Sequence, residues 1–122
     1  MSVPFHLLDR PITEYIGVKL WLEEYGQFWG IPPSMIDQEL SSSLLILERF
    51  CAFVGKDPDQ IAGECLRPSK VGEGVMLRTK ARREYIGLIA DFERKEGSRA
   101  SGSAVRSFFI HNGVAMTPSA LR

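Results

Sequence analysis

The side chains best suited to chemistry in this 122-residue chain are basic, and most lie in its second half. Residues 67–106 hold ten lysines and arginines against five acidic residues, whereas residues 1–66 hold four against ten. Lysine and arginine bind phosphate oxygens through charge-assisted hydrogen bonds, so a basic face is typical of proteins with a polyanionic partner. The net charge of zero therefore conceals a polarised chain. Two ordinary solvated helix faces would have the same composition, and both interpretations stay open.

The densest basic group begins in a glycine-containing loop, at Lys70, and continues along a predicted helix with Arg78, Lys80, Arg82 and Arg83. On a helix, Lys80, Arg82 and Arg83 fan across the side away from the predicted core. We therefore expect them in solvent, within reach of a DNA backbone. Reversing Arg82 and Arg83 to glutamate should then abolish duplex binding and leave the melting temperature nearly unchanged. The alternative is that pairs such as Lys80 with Glu84 are surface ion pairs of small energetic weight.

A second candidate group lies at the start of the last predicted helix, where backbone N–H groups and the helix dipole favour phosphate. Its members offer hydroxyl and guanidinium donors and are Ser98, Arg99, Ser101 and Ser103. Arg106, further along this helix, is ambiguous: it either contacts DNA or pairs with a carboxylate inside the bundle.

Residue types needed for catalysis or metal binding are sparse. His6 is far in sequence from any partner, and His111 falls at a helix end, where positive charge suits the dipole. Cys51 and Cys65 sit in apolar segments without metal-ligand spacing, which predicts reduced core thiols. No nucleophile motif or phosphate-binding glycine loop is present. We expect no catalytic residue, metal, cofactor or small-molecule substrate.

Hydropathy argues against a membrane protein, since no apolar run approaches the roughly 20 residues that span a bilayer. The N-terminus lacks a basic segment followed by an apolar stretch, so no secretion signal is expected. Cytoplasmic localisation is the default prediction.

Apolar spacing predicts an all-α fold without a convincing strand pair. Helices are expected over residues 12–29, 35–54, 61–66 and about 75–95, with a last one through residues 105–110; alternation at 15–22 also suits a strand. Ser34 is the expected N-cap of the second helix, and the serines at 41–43 are a point where it could divide. Asp57-Pro58-Asp59-Gln60 is a compact helix start. Four or five helices with short connections indicate a small orthogonal bundle.

Three motifs, in order and at fitting distances, resemble the core-binding domain of tyrosine recombinases (the phage integrase family). They are Leu47-Glu48-Arg49-Phe50-Cys51-Ala52-Phe53-Val54-Gly55-Lys56, then Asp57-Pro58-Asp59-Gln60-Ile61, then Ser103-Ala104-Val105-Arg106-Ser107-Phe108-Phe109 leading to Asn112-Gly113-Val114. The resemblance covers roughly residues 34–118. Residues 98–102 are about one turn shorter than the family pattern, so the last helix is expected to begin late.

The resemblance implies a SAM-like, four-helix domain that clamps duplex DNA, with other recombinase protomers as possible partners. The family's catalytic residues lie in a C-terminal domain and are not found here, so the chain is a non-catalytic part or a stand-alone relative. The implied division is an N-terminal extension at 1–33, a core-binding domain at 34–118 and the start of a linker at 119–122. The extension would be an extra packing helix, an arm-site binder or a protomer contact.

A different class of function also fits the sequence. Residues 12–29 carry aromatic side chains of the kind that protein interfaces favour, which are Trp21, Tyr25, Phe28 and Trp29. On that basis the chain would be a helical protein–protein interaction module or regulator. A helix-turn-helix regulator fits less well, because no tight helix-turn-helix spacing precedes a basic recognition helix.

Overall fold

Helices account for most of the computed structural model, which describes residues 8–68 and 75–116. A 3₁₀ turn at Ile12–Glu14 precedes six α-helices within these residues: α1 Ile16–Trp29, α2 Ile36–Glu39, α3 Ser41–Val54, α4 Pro58–Glu64, α5 Thr79–Glu96 and α6 Arg99–His111. The predicted all-α bundle is confirmed. The second predicted helix divides at Leu40, just before the three serines, and its N-cap is Met35 rather than Ser34.

A short hairpin departs from the sequence prediction. Strand β1 (Leu66–Pro68) pairs antiparallel with β2 (Val75–Leu77), and Leu66 lies opposite Leu77. The predictions of no strand pair and of a helix from Val75 were therefore wrong, and α5 begins at Thr79. Three consecutive apolar residues, Val75–Leu77, fit the hydrophobic periodicity of a helix as well as that of a strand. The backbone N–H of Arg78 donates to the Cys65 carbonyl at 2.7 Å. The predicted loop's Lys70 lies outside the described residues.

Carboxylates stabilise the N-termini of α1 and α4. The predicted start of α4 forms a capping box, in which Asp57 accepts from the Gln60 backbone at 2.8 Å and Gln60 accepts from the Asp57 backbone at 3.0 Å. Asp59, in the first turn of α4, accepts from the backbone N–H groups of Ile16 and Gly17 at 3.2 and 2.7 Å. The start of α1 is thus tied to α4 by a contact between distant parts of the sequence.

Helix α1 packs into the same hydrophobic core as the rest of the chain. Val18 and Trp21 are fully buried. The Trp21 ring meets Phe108 edge-on at 5.6 Å between centroids, and its indole N–H donates to the Ser107 hydroxyl at 3.0 Å. The described part of residues 1–33 thus contains a packing helix, one of the three roles expected for this segment. Trp21 is consequently not available as an interface anchor.

Hydrogen bonds from Lys56 and Tyr85 to Glu64 join α4 to α5 and to the segment before α4, and we expect them to make the stability of the protein depend on pH. The buried Tyr85 hydroxyl donates to Glu64 at 2.5 Å, and Lys56 pairs with the same carboxylate at 2.9 Å. Burial alone would raise the pKa of Glu64, but the hydrogen bonds from Tyr85 and Lys56 outweigh it and hold the pKa below 4.5. A carboxyl group whose pKa is lower in the folded than in the unfolded protein stabilises the fold at any pH above the unfolded-state pKa. This stabilisation is lost as the pH falls through the folded-state pKa.

We expect Tyr85→Phe to reduce the free energy of unfolding by about 1–2 kcal/mol at pH 7, because a buried hydrogen bond to a charged acceptor is lost. The difference from wild type should narrow as the pH falls through the lowered pKa of Glu64, because the carboxylate then becomes protonated. Urea unfolding of both proteins at pH 7 and over a series of acidic pH values measures this. A difference that does not change with pH would contradict the role of ionised Glu64.

Candidate nucleic-acid interface

The first turns of α5 carry three exposed cations, Arg78, Lys80 and Arg83. No ion pair joins any of them to a carboxylate of residues 8–68 or 75–116. Arg78 and Lys80 border an open depression together with Thr79 and Glu84. Thr79 was not among the predicted site residues, because the helix was expected to start four residues earlier. Its hydroxyl and backbone N–H lie at the first position of α5. The site therefore presents three cations and one hydroxyl to solvent.

Arg82 does not belong to this exposed group, and its prediction as a DNA contact was wrong. Only 5% of the residue is exposed, and its Nε donates to the Ala115 carbonyl at 2.5 Å. Arg82 falls on the same side of α5 as the buried Tyr85 and Ile89, where the chain leaving α6 packs against the helix. The sequence-based estimate of its orientation did not include that returning segment.

The N-termini of the helices differ in how their free N–H groups are matched. Carboxylates serve α1 and α4, as described above. In contrast, the N-cap residues of α5 and α6, Arg78 and Ser98, make no side-chain capping hydrogen bond, and neither first turn holds an acidic residue. Basic side chains lie there instead, although positive charge opposes the helix dipole. An anion placed at either N-terminus would offset this unfavourable arrangement.

The second candidate group at the start of α6 is only partly accessible. Arg99 and Ser103 are exposed and Ser98 is half-buried at the N-cap. Ser101 is 3% exposed, so its prediction as a DNA contact was wrong. Ser101 faces the core because it lies on the same side of α6 as Ala104 and Val105, which are buried about one helical turn further along.

Of the two roles that the sequence left open for Arg106, the structure shows pairing with a carboxylate inside the bundle. Its Nη1 pairs with Oε2 of Glu93 at 3.1 Å, and both side chains are partly buried. The pair connects α6 to α5, so Arg106 stabilises the bundle and is not placed as a DNA contact. Gly102 lies beneath it: an added methyl group would stand 2.2 Å from that Glu93 oxygen and 2.9 Å from Arg106 Nη1.

Gly102→Ala should therefore lose most of the roughly 0.5–1 kcal/mol that alanine adds to a helix interior, because the ends of the Glu93 and Arg106 side chains must move apart and their ion pair must break. Gly63→Ala is a matched control: Gly63 is an exposed residue of α4 with no atom within 4 Å of an added methyl group. The control should gain roughly 0.5–1 kcal/mol through helix propensity. Urea unfolding compares the two variants, and equal gains in the free energy of unfolding would contradict the steric account.

The two candidate groups lie at opposite ends of α5. The helix spans 18 residues, which at a rise of about 1.5 Å per residue places its ends roughly 25 Å apart. The structure therefore does not merge them into one site. It leaves a main cluster at Arg78, Lys80 and Arg83 and a smaller one at Arg99 and Ser103.

The remaining reactive side chains are held in structural positions. Cys51 and Cys65 are free and buried, as expected for core thiols, and burial raises the pKa of the Cys51 thiol to about 12 and that of Cys65 to about 11. His111 lies 3.7 Å from Glu24 and packs edge-on against Tyr25. Among the described residues, no three His, Cys, Asp or Glu side chains gather where they could hold a metal ion.

The helices and the comparisons with known proteins bear on the wider setting of this site. Along residues 8–68 and 75–116, no helix is both long and apolar enough to cross a bilayer. No family model, curated protein or solved structure matches the chain, so its resemblance to the tyrosine recombinases rests on the three sequence motifs.

Proposed function

We propose that this chain is a non-catalytic DNA-binding module that contacts the phosphates of duplex DNA through the first turns of α5. The observation that carries the proposal is the group formed by Arg78, Lys80 and Arg83, which are exposed and have no carboxylate partner among the described residues. By contrast, Arg49, Lys56, Arg94 and Arg106 each pair with an acidic side chain. Unpaired cations beside an uncapped helix N-terminus suit a phosphate ligand.

The start of α6 supplies a second contact in this proposal. Arg99 and Ser103 are exposed about one α5 length away from the main cluster. A separation of roughly 25 Å corresponds to about seven base-pair steps of 3.4 Å, so one short duplex is long enough to meet both groups. Contacts of this kind position a protein on DNA without specifying a sequence.

The resemblance to tyrosine recombinases supports a more specific proposal. In it, the module is the core-binding part of a site-specific recombinase or integrase in the cytoplasm and holds DNA beside other protomers, with strand exchange assigned to residues outside this chain. The domain division at 1–33, 34–118 and 119–122 belongs to the same proposal. The shared core of α1 and α6 means that the first unit would not act separately from the second.

A fluorescence-anisotropy titration of the full chain against a labelled random-sequence duplex, across a salt series, tests the DNA-binding proposal. Four exposed cations predict that log affinity falls with log salt at a slope of about −3 to −4, because each neutralised phosphate releases counterions. Absence of binding at low salt would contradict the proposal and leave the basic residues as a solvated face.

A protein-binding module is the second candidate, favoured by the exposure of Phe28 and Trp29 at 72% and 61%. Of the four aromatic anchors predicted for such a module, only Phe28 and Trp29 are exposed, since Trp21 is buried and Tyr25 is half-buried. This function would be supported if the chain bound no duplex at any salt concentration and lost no stability when both exposed rings were replaced by alanine.

A further inference from the structure

Aromatic side chains form a partly exposed cluster at the end of α1. Phe28 and Trp29 are mostly exposed and contact each other edge-on, with ring centroids 5.0 Å apart. The half-buried Tyr25 ring lies 6.2 Å from the Trp29 ring and 5.8 Å from the His111 ring. Isolated exposed apolar residues are common, but contiguous rings at the surface mark a site suited to a ligand with an apolar face.

A groove of about 450 Å³ opens beside these rings, and α6 forms its other wall. The residues of this wall include Ser103, Ser107 and Ile110. Ser107 accepts a hydrogen bond from the Trp21 indole at 3.0 Å, which does not use its hydroxyl proton, and Ser103 is exposed. The groove thus combines aromatic surface with a few hydroxyl groups, a combination that suits the stacking and hydrogen bonding of a nucleobase.

An unpaired cation adjoins the groove at the start of α6. Arg99 precedes Ser103 by four residues, which places it on the same side of the helix, about 6 Å nearer the N-terminus. Arg99 is exposed, and no carboxylate of residues 8–68 or 75–116 pairs with it. Both residues form the second contact of the proposed function, so a strand held there by its phosphates has its neighbouring bases beside Phe28 and Trp29.

The other charges near the groove set the direction in which a strand approaches. Arg106 lines the groove with 32% of its side chain exposed, and its pairing with Glu93 leaves that wall without net charge. Glu24 borders a separate depression and faces His111 at 3.7 Å. Because a phosphate is repelled at Glu24 and attracted at Arg99, the strand enters from the start of α6.

We propose that this groove binds an unpaired nucleobase of a DNA strand whose phosphates lie at Arg99 and Ser103. The base stacks on the exposed ring of Phe28 or Trp29, and stacking of this kind accepts any base because every base has a π-face. Bases inside a duplex are stacked on one another and do not reach the groove. The inference rests on the proposed DNA-binding function and adds to it a preference for DNA with unpaired bases beside the duplex.

Anisotropy titrations of the full chain test this with three labelled DNAs: a blunt duplex, the same duplex with a single-stranded thymidine tail, and the same duplex with an abasic tail of equal length. The two tails carry the same phosphates and differ only in their bases. Wild type should bind the thymidine tail at least about 10-fold more tightly than the abasic tail, as expected for one stacked base. The thymidine tail should also quench tryptophan emission, which reports Trp29 because Trp21 is buried.

Phe28→Ala combined with Trp29→Ala should bind the two tailed DNAs with equal affinity, with circular dichroism showing unchanged helix content. Trp29→Phe keeps an aromatic ring, so it should retain most of the preference and lose the quenching. Ile16→Ala is the matched control, since Ile16 is 77% exposed at the first position of α1, about 18 Å along the helix from Phe28. It should prefer the thymidine tail as wild type does.

Equal wild-type affinity for the two tails, with the blunt duplex bound, would overturn the inference and leave the proposed function standing. A preference that survives the loss of both rings would also overturn it, since the bases would then lie elsewhere. Quenching by the thymidine tail without binding of the blunt duplex would support the groove and contradict the proposed duplex contact. Trp29 emission that changes with protein concentration but not with DNA would assign the rings to a protein contact and overturn the inference.

Discussion

Replacing Arg82 with glutamate should lower the free energy of unfolding by about 3–5 kcal/mol, corresponding to a fall of roughly 10–20 °C in melting temperature. Arg82 is 5% exposed and donates to the Ala115 carbonyl at 2.5 Å. A glutamate there would bury a carboxylate against that carbonyl oxygen and leave both without a donor. The substitution would also release the segment that follows α6, whose Val114 and Met116 are buried.

Arg83→Glu is the matched comparison, because it makes the same charge change one residue away on the exposed side of α5. Its melting temperature should stay within about 2 °C of wild type, as for most surface substitutions. Arg82→Met keeps the side-chain length without a charge and should fall between the two. Thermal denaturation by circular dichroism measures all three, and equal melting temperatures for Arg82→Glu and Arg83→Glu would show that Arg82 is not a structural residue.

The second large effect concerns duplex binding. Reversing Lys80 and Arg83 together to glutamate should weaken affinity at least roughly 100-fold at low salt, because two phosphate contacts are lost and two repulsive charges are added. The neutral variant, with glutamine at both positions, should bind more weakly than wild type and show a salt slope shallower by about 2. Anisotropy titrations with one duplex across a salt series provide both quantities.

Lys19 and Arg10 provide the control, since both are exposed and their reversal changes the net charge by the same amount. Lys19 is on α1, and Arg10 lies before α1, over the Tyr15 ring, so neither belongs to the two proposed contact groups. Reversing these two should lower affinity only slightly, through the long-range field. If the control weakened binding as much as the Lys80 and Arg83 pair, net charge rather than the start of α5 would be responsible.

Local features of this protein were well predicted from sequence. The capping box at Asp57 and Gln60 forms as its residue types require, since all of its hydrogen bonds join residues within one turn. Gly97 ends α5 in the left-handed conformation, with φ of 66°, that glycine adopts without strain. The hairpin was not predicted because Val75–Leu77 fits the periodicity of a helix as well as that of a strand. Its pairing with Leu66–Pro68 depends on a strand several residues away.

The site was predictable only in part, and neighbouring residues show why. Sequence spacing placed Arg82 and Arg83 together, and it left Arg106 equally suited to DNA or to a carboxylate. Ala115, which holds Arg82, is 33 residues away, and Glu93, which holds Arg106, is on another helix. Helical periodicity gives each side chain a direction around its own axis but does not say which directions other parts of the chain will cover.

What the sequence by itself determined is therefore most of the helices, the capping box of α4, the glycine end of α5 and the concentration of basic residues after residue 66, because these depend on contacts within a few residues or on composition. The tertiary structure alone decided which cations remain free. It buried Arg82, paired Arg106 and left Arg78, Lys80, Arg83 and Arg99 exposed. It also covered Trp21 while leaving Trp29 uncovered on the same helix. The physical reason is that burial and pairing are properties of surfaces brought together from distant parts of the chain.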